Sequence, residues 1–486
     1  MHAKTLLVIL AICLAGLTAN AQAKKKWDLR SIVDYAMSNN ITVKLSDVQA
    51  KIAAINAKQS KSSQIPSLTF NGNAGINSGT NQDPTTFSRV TETYFSSGLQ
   101  LQSSVDIFNF YSKRNTIAAN NWELLAAKAN TDKLKNDIAL TVANAYLQIL
   151  LSIEQQNITS VQIQQTAAQL SNTKKLVDAG SLPPLNLTQL EAQLATDSVN
   201  YITAKGAVVQ NILTLKAYMN IDPADDFEVE TPSLESIPLD AIADLLPENV
   251  YALALKNQPL QRYDDLKLKA AEKSKDAARG AMYPTLSMYG SLGTTYQAFK
   301  KKGYYDPKDA VFLGYANTPY IVPGTIVDTI QGPVYGNGPL KYARPSAYTT
   351  QLSDNFNQGI GLSLNIPILN GRSLKSNYER SKLNIVTWQL QKVQDDQNLK
   401  QNIFQAYNSV LIALEKFNAS KKSVDASQLT FDYAKKRSDV GMLGTFDLIT
   451  SQNNLLRAKL EYTINQFDYV FKMKVLEFYK GMGIKL

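Results

Sequence analysis

The sequence predicts a mainly α-helical fold with a transmembrane β-barrel, in which each chain supplies long coiled-coil-like helices and four β-strands. Three observations lead to this prediction. The stretch 105–221 recurs without a gap 261 positions later, at 366–482. Within each copy, apolar residues step by three or four over a length far beyond that of an ordinary helix. Between the helices, four segments alternate polar and apolar residues, which is typical of strands.

Residues 1–23 have the features of a secretory signal peptide, with an apolar segment before a small-residue cleavage site. Cys13 raises the alternative of lipidation, which the bulky Ile12 before it disfavours. Cleavage removes Lys4 from the 50 Lys and Arg and leaves the 41 Asp and Glu, so the mature net charge is +8.

The mature chain contains no histidine and no cysteine, because the only ones are His2 and Cys13. This excludes His-dependent triads, thiol nucleophiles, the usual zinc sites and disulfides. Catalysis by carboxylates alone stays open, although no carboxylate pair stands out. The basic residues are scattered among acidic ones, which indicates solvated helix faces rather than a nucleic-acid surface. We therefore predict a protein that is not an enzyme and has no cofactor and no nucleic-acid partner.

The chain divides into two structural repeats that share one order of elements. The first, 24–221, and the second, 249–486, are joined by an acidic linker, 222–248, with nine carboxylates and no Lys or Arg. A calcium site in the linker is conceivable, but a solvated linker is the simpler interpretation. The early parts of the repeats correspond at an offset of 218, as Pro66 and Pro284 show. Each repeat is predicted to run through short helices, two strands, a long helix, a tip and a returning helix.

The alternating segments predict four strands with one apolar and one polar face, at about 67–77, 93–107, 285–298 and 351–368. A half-buried soluble sheet would show the same pattern. Strands of about ten residues in an exported chain instead favour an outer-membrane barrel with its apolar face toward lipid. Four strands cannot close a barrel, and open edges are not tolerated in lipid, so several chains must share it. The segment 299–350 is predicted to be a long external loop, with or without a gating role.

Each long helix is predicted to end at a tip, at 180–186 and 441–447. Gly180 and Gly441 stand where a left-handed residue ends a helix. Pro183 and Pro184 then prevent the first long helix from continuing. The two tips are therefore predicted to join pairs of antiparallel helices.

This combination resembles the TolC-like outer membrane efflux protein family, also called outer membrane factors. The resemblance covers the whole mature chain and includes the element Asn257-Gln258-Pro259 and the tip Asp439-Val440-Gly441. It implies a homotrimer whose shared β-barrel continues into an α-helical tunnel across the periplasm of a Gram-negative bacterium. It also implies outer membrane lipid, a periplasmic adaptor and an inner-membrane transporter as partners.

The resemblance implies that the adaptor docks on the tips. The docking residues would be Ala179, Gly180, Ser181 and Leu182 in the first repeat and Val440, Gly441, Met442 and Leu443 in the second. Asp447 matches a family aspartate that rings the closed periplasmic entrance, whereas Thr450 replaces a second one and Leu443 replaces an arginine that bonds the closed gate. The alternative is that both glycines only end helices and Asp447 only stabilises a helix start.

The function expected is that of a passive trimeric export duct, the outer membrane channel of a tripartite efflux or type I secretion system. A secreted coiled-coil or adhesin-like stalk is the alternative, against which the four strands argue. A carboxylate-dependent periplasmic enzyme would need a compact pocket that this layout does not provide. The residues leave open whether the cargo is drugs, metals or protein, and which transporter supplies it.

Overall fold

The computed structural model describes residues 26–82, 89–231, 237, 239–298, 302–322, 325–343 and 347–481. The predicted signal peptide and Cys13 lie outside these described residues. The chain divides into two compact units. The helical unit is drawn from residues up to 57, 118–273 and 380 onward, and the sheet unit from 58–117 and 274–379.

The helices are α1 (Leu29–Asn39), α2 (Ile41–Ser62), α3 (Ser112–Asp178), α4 (Pro184–Met219), α5 (Pro247–Asn257), α6 (Pro259–Gly280), α7 (Tyr348–Asp354), α8 (Ser373–Asp439) and α9 (Thr445–Tyr479). The strands are β1 (Lys26–Trp27), β2 (Ser67–Gln82), β3 (Arg89–Phe108), β4 (Glu228–Val229), β5 (Thr285–Ala298), β6 (Lys302–Tyr304), β7 (Val311–Val322), β8 (Thr325–Gly336), β9 (Lys341–Ala343) and β10 (Asn357–Asn365). Short 3₁₀ turns occupy Ile242–Leu245 and Pro307–Asp309.

The helical unit contains two cores built from equivalent positions of the duplication. In the first core, Val142 of α3 and Leu215 of α4 are fully buried against α1. Their counterparts 261 positions later, Ile403 of α8 and Leu476 of α9, are equally buried against α5. The two long helices have 67 residues each, or about 100 Å at about 1.5 Å per residue. In the described chain no helix has both the length and the apolar content needed to cross a membrane.

The acidic linker is attached to the helical unit rather than free of it. Its β4 pairs in parallel with β1, and Trp27 stacks on Phe227 with ring centroids 5.6 Å apart. The buried Tyr146 hydroxyl of α3 donates a 2.7 Å hydrogen bond to the Glu230 carbonyl. These contacts hold the start of the linker against the first core.

The sheet unit contains a four-stranded antiparallel sheet in the order β10-β5-β3-β2. Residues directly opposite in neighbouring strands share a face. One face carries apolar rows, including Phe70–Leu101–Leu292, Ile76–Phe95–Ala298 and Val105–Met288–Leu362. The other face carries polar rows, including Thr69–Gln102–Ser291–Gly359 and Asn71–Gln100–Gly293–Asn357. The sheet thus has one apolar and one polar face, and β2 and β10 form its two edges.

The ladder departs from strict alternation at the end of β3. The register shifts between Asp106 and Phe108, so Phe108 lies opposite Leu286 and Ile107 has no ladder partner. A β-bulge of this kind inserts one extra residue and bends its strand. The period-two pattern that includes Ile107 in the apolar face is therefore interrupted at this residue.

The strand expected at about 351–368 is shorter in the structure, where β10 covers Asn357–Asn365. The residues before it form α7, whose side chains bind the end of β5. The Gln351 amide bonds both the backbone N–H and the carbonyl of Gln297, each at 3.1 Å, and Asn355 donates to the Thr295 carbonyl. These side-chain bonds take the place of a backbone ladder. Conversely, β2 and β3 extend beyond the expected bounds of 67–77 and 93–107.

The predicted external loop, 299–350, contains regular structure in its described parts. Strands β7 and β8 form an antiparallel hairpin, and β6 pairs with β9. At the base of this hairpin Lys341 forms ion pairs with Asp306, at 3.1 Å, and with Asp309. Residues 299–301, 323–324 and 344–346 lie outside the described residues.

Candidate functional site

The first helical tip is a hydrogen-bonded turn centred on Gly180. Gly180 has a φ of 70°, which favours glycine because a Cβ disfavours this left-handed conformation. The backbone N–H of Gly180 donates to the Val177 carbonyl at 2.9 Å, and that of Ser181 donates to the Leu176 carbonyl at 2.8 Å. This pair of bonds is the Schellman motif, which satisfies carbonyls at the end of α3.

The second tip repeats this geometry at the offset of 261. Gly441 has a φ of 74° and donates to the Ser438 carbonyl at 3.0 Å. The N–H of Met442 donates to the Arg437 carbonyl at 2.8 Å. The helix-ending role of both glycines therefore holds. Both glycines are also accessible at the surface, because a Cβ built on either one meets nothing within 4 Å.

The tips expose apolar side chains. Val440 is 68% exposed and Met442 is 69% exposed, whereas Leu182 and Leu443 occupy equivalent half-buried positions. Ala179, Gly180, Ser181 and Gly441 are exposed as well. Apolar side chains without cover at a helix end are typical of a protein interface.

Two further exposed apolar residues lie within the tips and were not singled out from the sequence. They are Leu185 at the start of α4 and Phe446 at the start of α9, which are equivalent positions and are 64% and 66% exposed. The signal that identifies them is their shared place in the duplication, five residues after each tip glycine. They enlarge the apolar surface of both tips.

Asp447 is the third residue of α9 and is exposed. Within the described residues its carboxylate has no hydrogen-bond or ion-pair partner, so it does not cap the helix through its side chain. The N-cap residue is Gly444, which has no side chain to offer. A carboxylate in a first helical turn is still stabilised by the helix dipole. Asp447 therefore keeps a solvated negative charge at the tip end of α9.

Thr450 lies one turn further along α9. Its hydroxyl donates to the Phe446 carbonyl at 2.9 Å, so it is bound to its own helix. Residues three positions apart lie on neighbouring parts of one helix face. The face that carries the Asp447 charge therefore gains no second charge at position 450.

A buried polar network lies about three turns from the tips and joins the two hairpins. Asp197 of α4, which is 1% exposed, accepts hydrogen bonds from Thr166 of α3 at 2.7 Å and from Gln193 at 2.8 Å. Gln193 and Asn453 of α9 exchange two amide hydrogen bonds at 3.2 Å. Sequence reasoning missed this network, whose only signal was polar residues at core-facing helix positions. It sets the register of α4 against α9 and thereby of the two tips.

The described residues contain no group of three His, Cys, Asp or Glu side chains arranged to hold a metal ion. The chemistry available at the tips is therefore that of a surface: exposed apolar side chains, backbone turns and one carboxylate.

Comparisons with known proteins agree with this architecture. A model of the family described as outer membrane efflux protein matches residues 32–220 and 250–469. The chain is 24% identical over 473 residues to the outer membrane efflux protein BepC of Brucella suis biovar 1, covering 96% of this chain and 87% of BepC. It is 22% identical over 482 residues to the outer membrane protein TolC of Escherichia coli, covering 96% and 84% of the two chains.

Solved structures share the fold at lower identity. The transmembrane channel protein CusC superposes with a TM-score of 0.73 at 15% identity, covering 93% of this chain and 92% of CusC. The two family matches together span most of the chain and flank the acidic linker. The chain therefore belongs to the outer membrane efflux protein family.

Proposed function

We propose that three copies of this outer membrane efflux protein form one passive export duct, which an inner-membrane transporter supplies through a periplasmic adaptor. The observation that carries the proposal is the four-stranded sheet, which exposes an apolar face and leaves two edges unpaired. Such a sheet is unstable in lipid unless neighbouring chains pair with both edges. Three chains of four strands supply twelve, above the smallest bacterial barrels of about eight.

Exposed apolar stripes on two helices support assembly through the helical unit as well. Their members are spaced by three and four residues, as at coiled-coil seams. On α2 they are Ile41, Leu45, Val48, Ile52 and Ile55, and on α8 they are Leu383, Val386, Leu390 and Val393. Contiguous exposed apolar surface of this kind is typical of an interface with another chain. We infer that α2 of one protomer packs on α8 of the next.

The tips are the proposed docking surface for the adaptor, and Asp447 lines the proposed periplasmic entrance. The sequence contains no Gly-rich phosphate loop of the Walker type, so we assign the energy for transport to the partners. Both a tripartite efflux system and a type I secretion system meet this description.

Assembly is tested by the mass and conductance of the purified full-length protein. We expect trimers in native mass spectrometry and discrete single-channel currents in planar bilayers. Glutamate at Leu390 should weaken the trimer, because a charge in a coiled-coil seam is not compensated, while glutamate at the solvent-exposed Lys421 should leave it intact. A stable monomer without conductance would refute the proposed duct.

Docking is tested by substitutions of Gly180 and Gly441. Tryptophan at either position should impair export and adaptor crosslinking while leaving trimers in the membrane, because it adds bulk to an exposed surface. Asparagine is the matched control, since it tolerates a left-handed backbone and adds little bulk. Normal export and unchanged crosslinking by both tryptophan variants would remove the tips from the docking surface.

A further inference from the structure

A cluster of carboxyl groups, of which Asp264 is fully buried and three are half-buried, lies where α6 packs on α8 in the helical unit. Asp264 of α6 is 0% exposed, and neither of its carboxyl oxygens accepts a hydrogen bond from an N–H or hydroxyl donor in the described residues. The side chain of Gln261, one turn earlier, is 4% exposed and also lacks a well-aligned partner. The acidic groups that act on Asp264 are Asp395 and Asp396 on α8 and Asp265 on its own helix, and the Lys392 ammonium on α8 interacts with it as well. Three acidic neighbours therefore surround a carboxyl group that has no donor.

The internal duplication shows that the fold does not require this cluster. The equivalent positions of the first repeat lie 218 residues earlier on α2 and 261 earlier on α3. There, Gln261, Asp264, Lys392, Asp395 and Asp396 correspond to Val43, Ser46, Thr131, Leu134 and Lys135. The buried Ser46 and Thr131 hydroxyls bond each other at 2.9 Å. The first repeat thus has a pair of neutral hydroxyls where the second has Asp264 and Lys392, and a lysine in place of Asp396.

An ionised carboxylate without a donor is costly inside a protein, so such a group binds a proton instead. The Asp264 and Asp395 carboxyl groups lie within hydrogen-bonding reach of each other. Two carboxylates have no donor between them, so only a proton on one of the two makes this bond possible. Burial, followed by the charges of Asp395 and Asp396, raises the pKa of Asp264 to about 7. Burial also raises the pKa of Asp396.

The two lysines near Asp264 form their ion pairs with other carboxylates. Lys392 of α8 pairs with Asp265, which raises the pKa of this lysine. Lys267 of α6 pairs with Glu123 of α3, the third helix at this contact. Neither lysine forms an ion pair with Asp264 in the described residues, because each pairs with a different carboxylate.

We propose that Asp264 and Asp395 bind one proton between them, and that this proton makes the packing of α6 on α8 sensitive to the pH around the helices. The folded pKa of Asp264 lies above its ordinary value of about 3.9. The stabilisation is therefore complete below about pH 4 and is lost as the pH rises through about 7. A carboxyl group with this pKa holds its proton about a thousand-fold more tightly than an ordinary aspartate. The contact should be tightest in an acidic medium and weaker at neutral pH.

The experiment uses the full-length protein in detergent, with and without Asp264→Asn. Asparagine keeps the shape of the side chain but does not titrate. The matched control is Asp47→Asn, which removes the first-repeat counterpart of Asp265, an exposed carboxylate paired with Lys51. The measurements are the thermal unfolding midpoint from about pH 4 to about pH 9 and the infrared band of protonated carboxyl groups over the same range.

In the wild type and in Asp47→Asn, we expect the midpoint to fall between about pH 4 and about pH 7 and an infrared band to disappear on approach to neutral pH. In Asp264→Asn the fall should be smaller and that band absent. Identical pH profiles with and without Asp264, or a wild type that shows no such band, would overturn the proposal. The wild-type spectrum tests it even if the variant does not fold. A midpoint that depends on sodium, potassium or calcium at constant pH would identify a cation in place of the proton and would also overturn it.

Discussion

Arginine at Leu101 tests whether the apolar face of the sheet meets lipid. Leu101 lies opposite Phe70 and Leu292, level with the middle of β5. Gln102, the next residue of β3, lies opposite Thr69 and Ser291 on the polar face. The two positions have almost the same depth in the sheet and opposite orientations, so each is a control for the other.

Arginine on the lipid face of a barrel costs about 2–4 kcal/mol near the membrane midplane. Because every 1.4 kcal/mol is tenfold, this weakens insertion about 30- to 700-fold per chain. A trimer carries three copies, for a total of about 6–12 kcal/mol. Leu101→Arg should therefore remove most of the assembled protein, whereas Gln102→Arg should be tolerated because its side chain faces water.

The assay has two parts. The amount of heat-resistant trimer in outer-membrane fractions reports assembly in cells, and urea titration of protein folded into lipid vesicles reports the free energy of unfolding. If arginine at Leu101 and arginine at Gln102 have equal effects in both measurements, the assignment of the two faces is wrong.

Two other predictions concern the entrance and the linker. In single-channel recordings, Asp447→Asn should abolish both the preference for cations and the block by multivalent cations, because three exposed carboxylates at a constriction attract cations. Thr450→Asp should strengthen the block. Unchanged selectivity in both variants would place the entrance elsewhere. Tyr146→Phe removes the 2.7 Å bond to the Glu230 carbonyl and should lower the free energy of unfolding by about 0.5–1.5 kcal/mol. Burial raises the pKa of Tyr146 to about 12, so its contribution holds below about pH 10 and is lost toward about pH 12. Unfolding measured across this alkaline range should show a steeper loss in the wild type than in the variant, and parallel curves would contradict this explanation.

Much of the fold follows from the sequence, because helices and strands leave local periodic signals. The apolar steps of three and four in 105–221 and 366–482 predict the long helices, and the constant offset predicts two equivalent cores. Val142 and Ile403 are indeed both fully buried. Alternation likewise predicts the two faces of the sheet, since its ladder places Phe70, Leu101 and Leu292 in one row. Gly180 and Gly441 were identifiable because a helix end needs a left-handed residue.

Local patterns are less informative where side chains compete with the backbone for hydrogen bonds. The segment before β10 could have continued the strand, but Gln351 and Asn355 bind the backbone of β5 through their amides and α7 forms instead. The bulge after Asp106 similarly displaces Ile107 from a pattern that its sequence continues. Both outcomes depend on partners supplied by another strand.

The sequence by itself determined the duplication, the helix lengths, the faces of the strands and the positions of the tips, because each is encoded by the spacing of residues along the chain. Only the tertiary structure decided which polar groups find partners. Thr166, Asp197 and Asn453 form one network across nearly 300 positions, while Asp264 meets Asp395 without any donor between them. Whether a buried polar side chain is satisfied depends on atoms from distant helices, which periodicity does not specify.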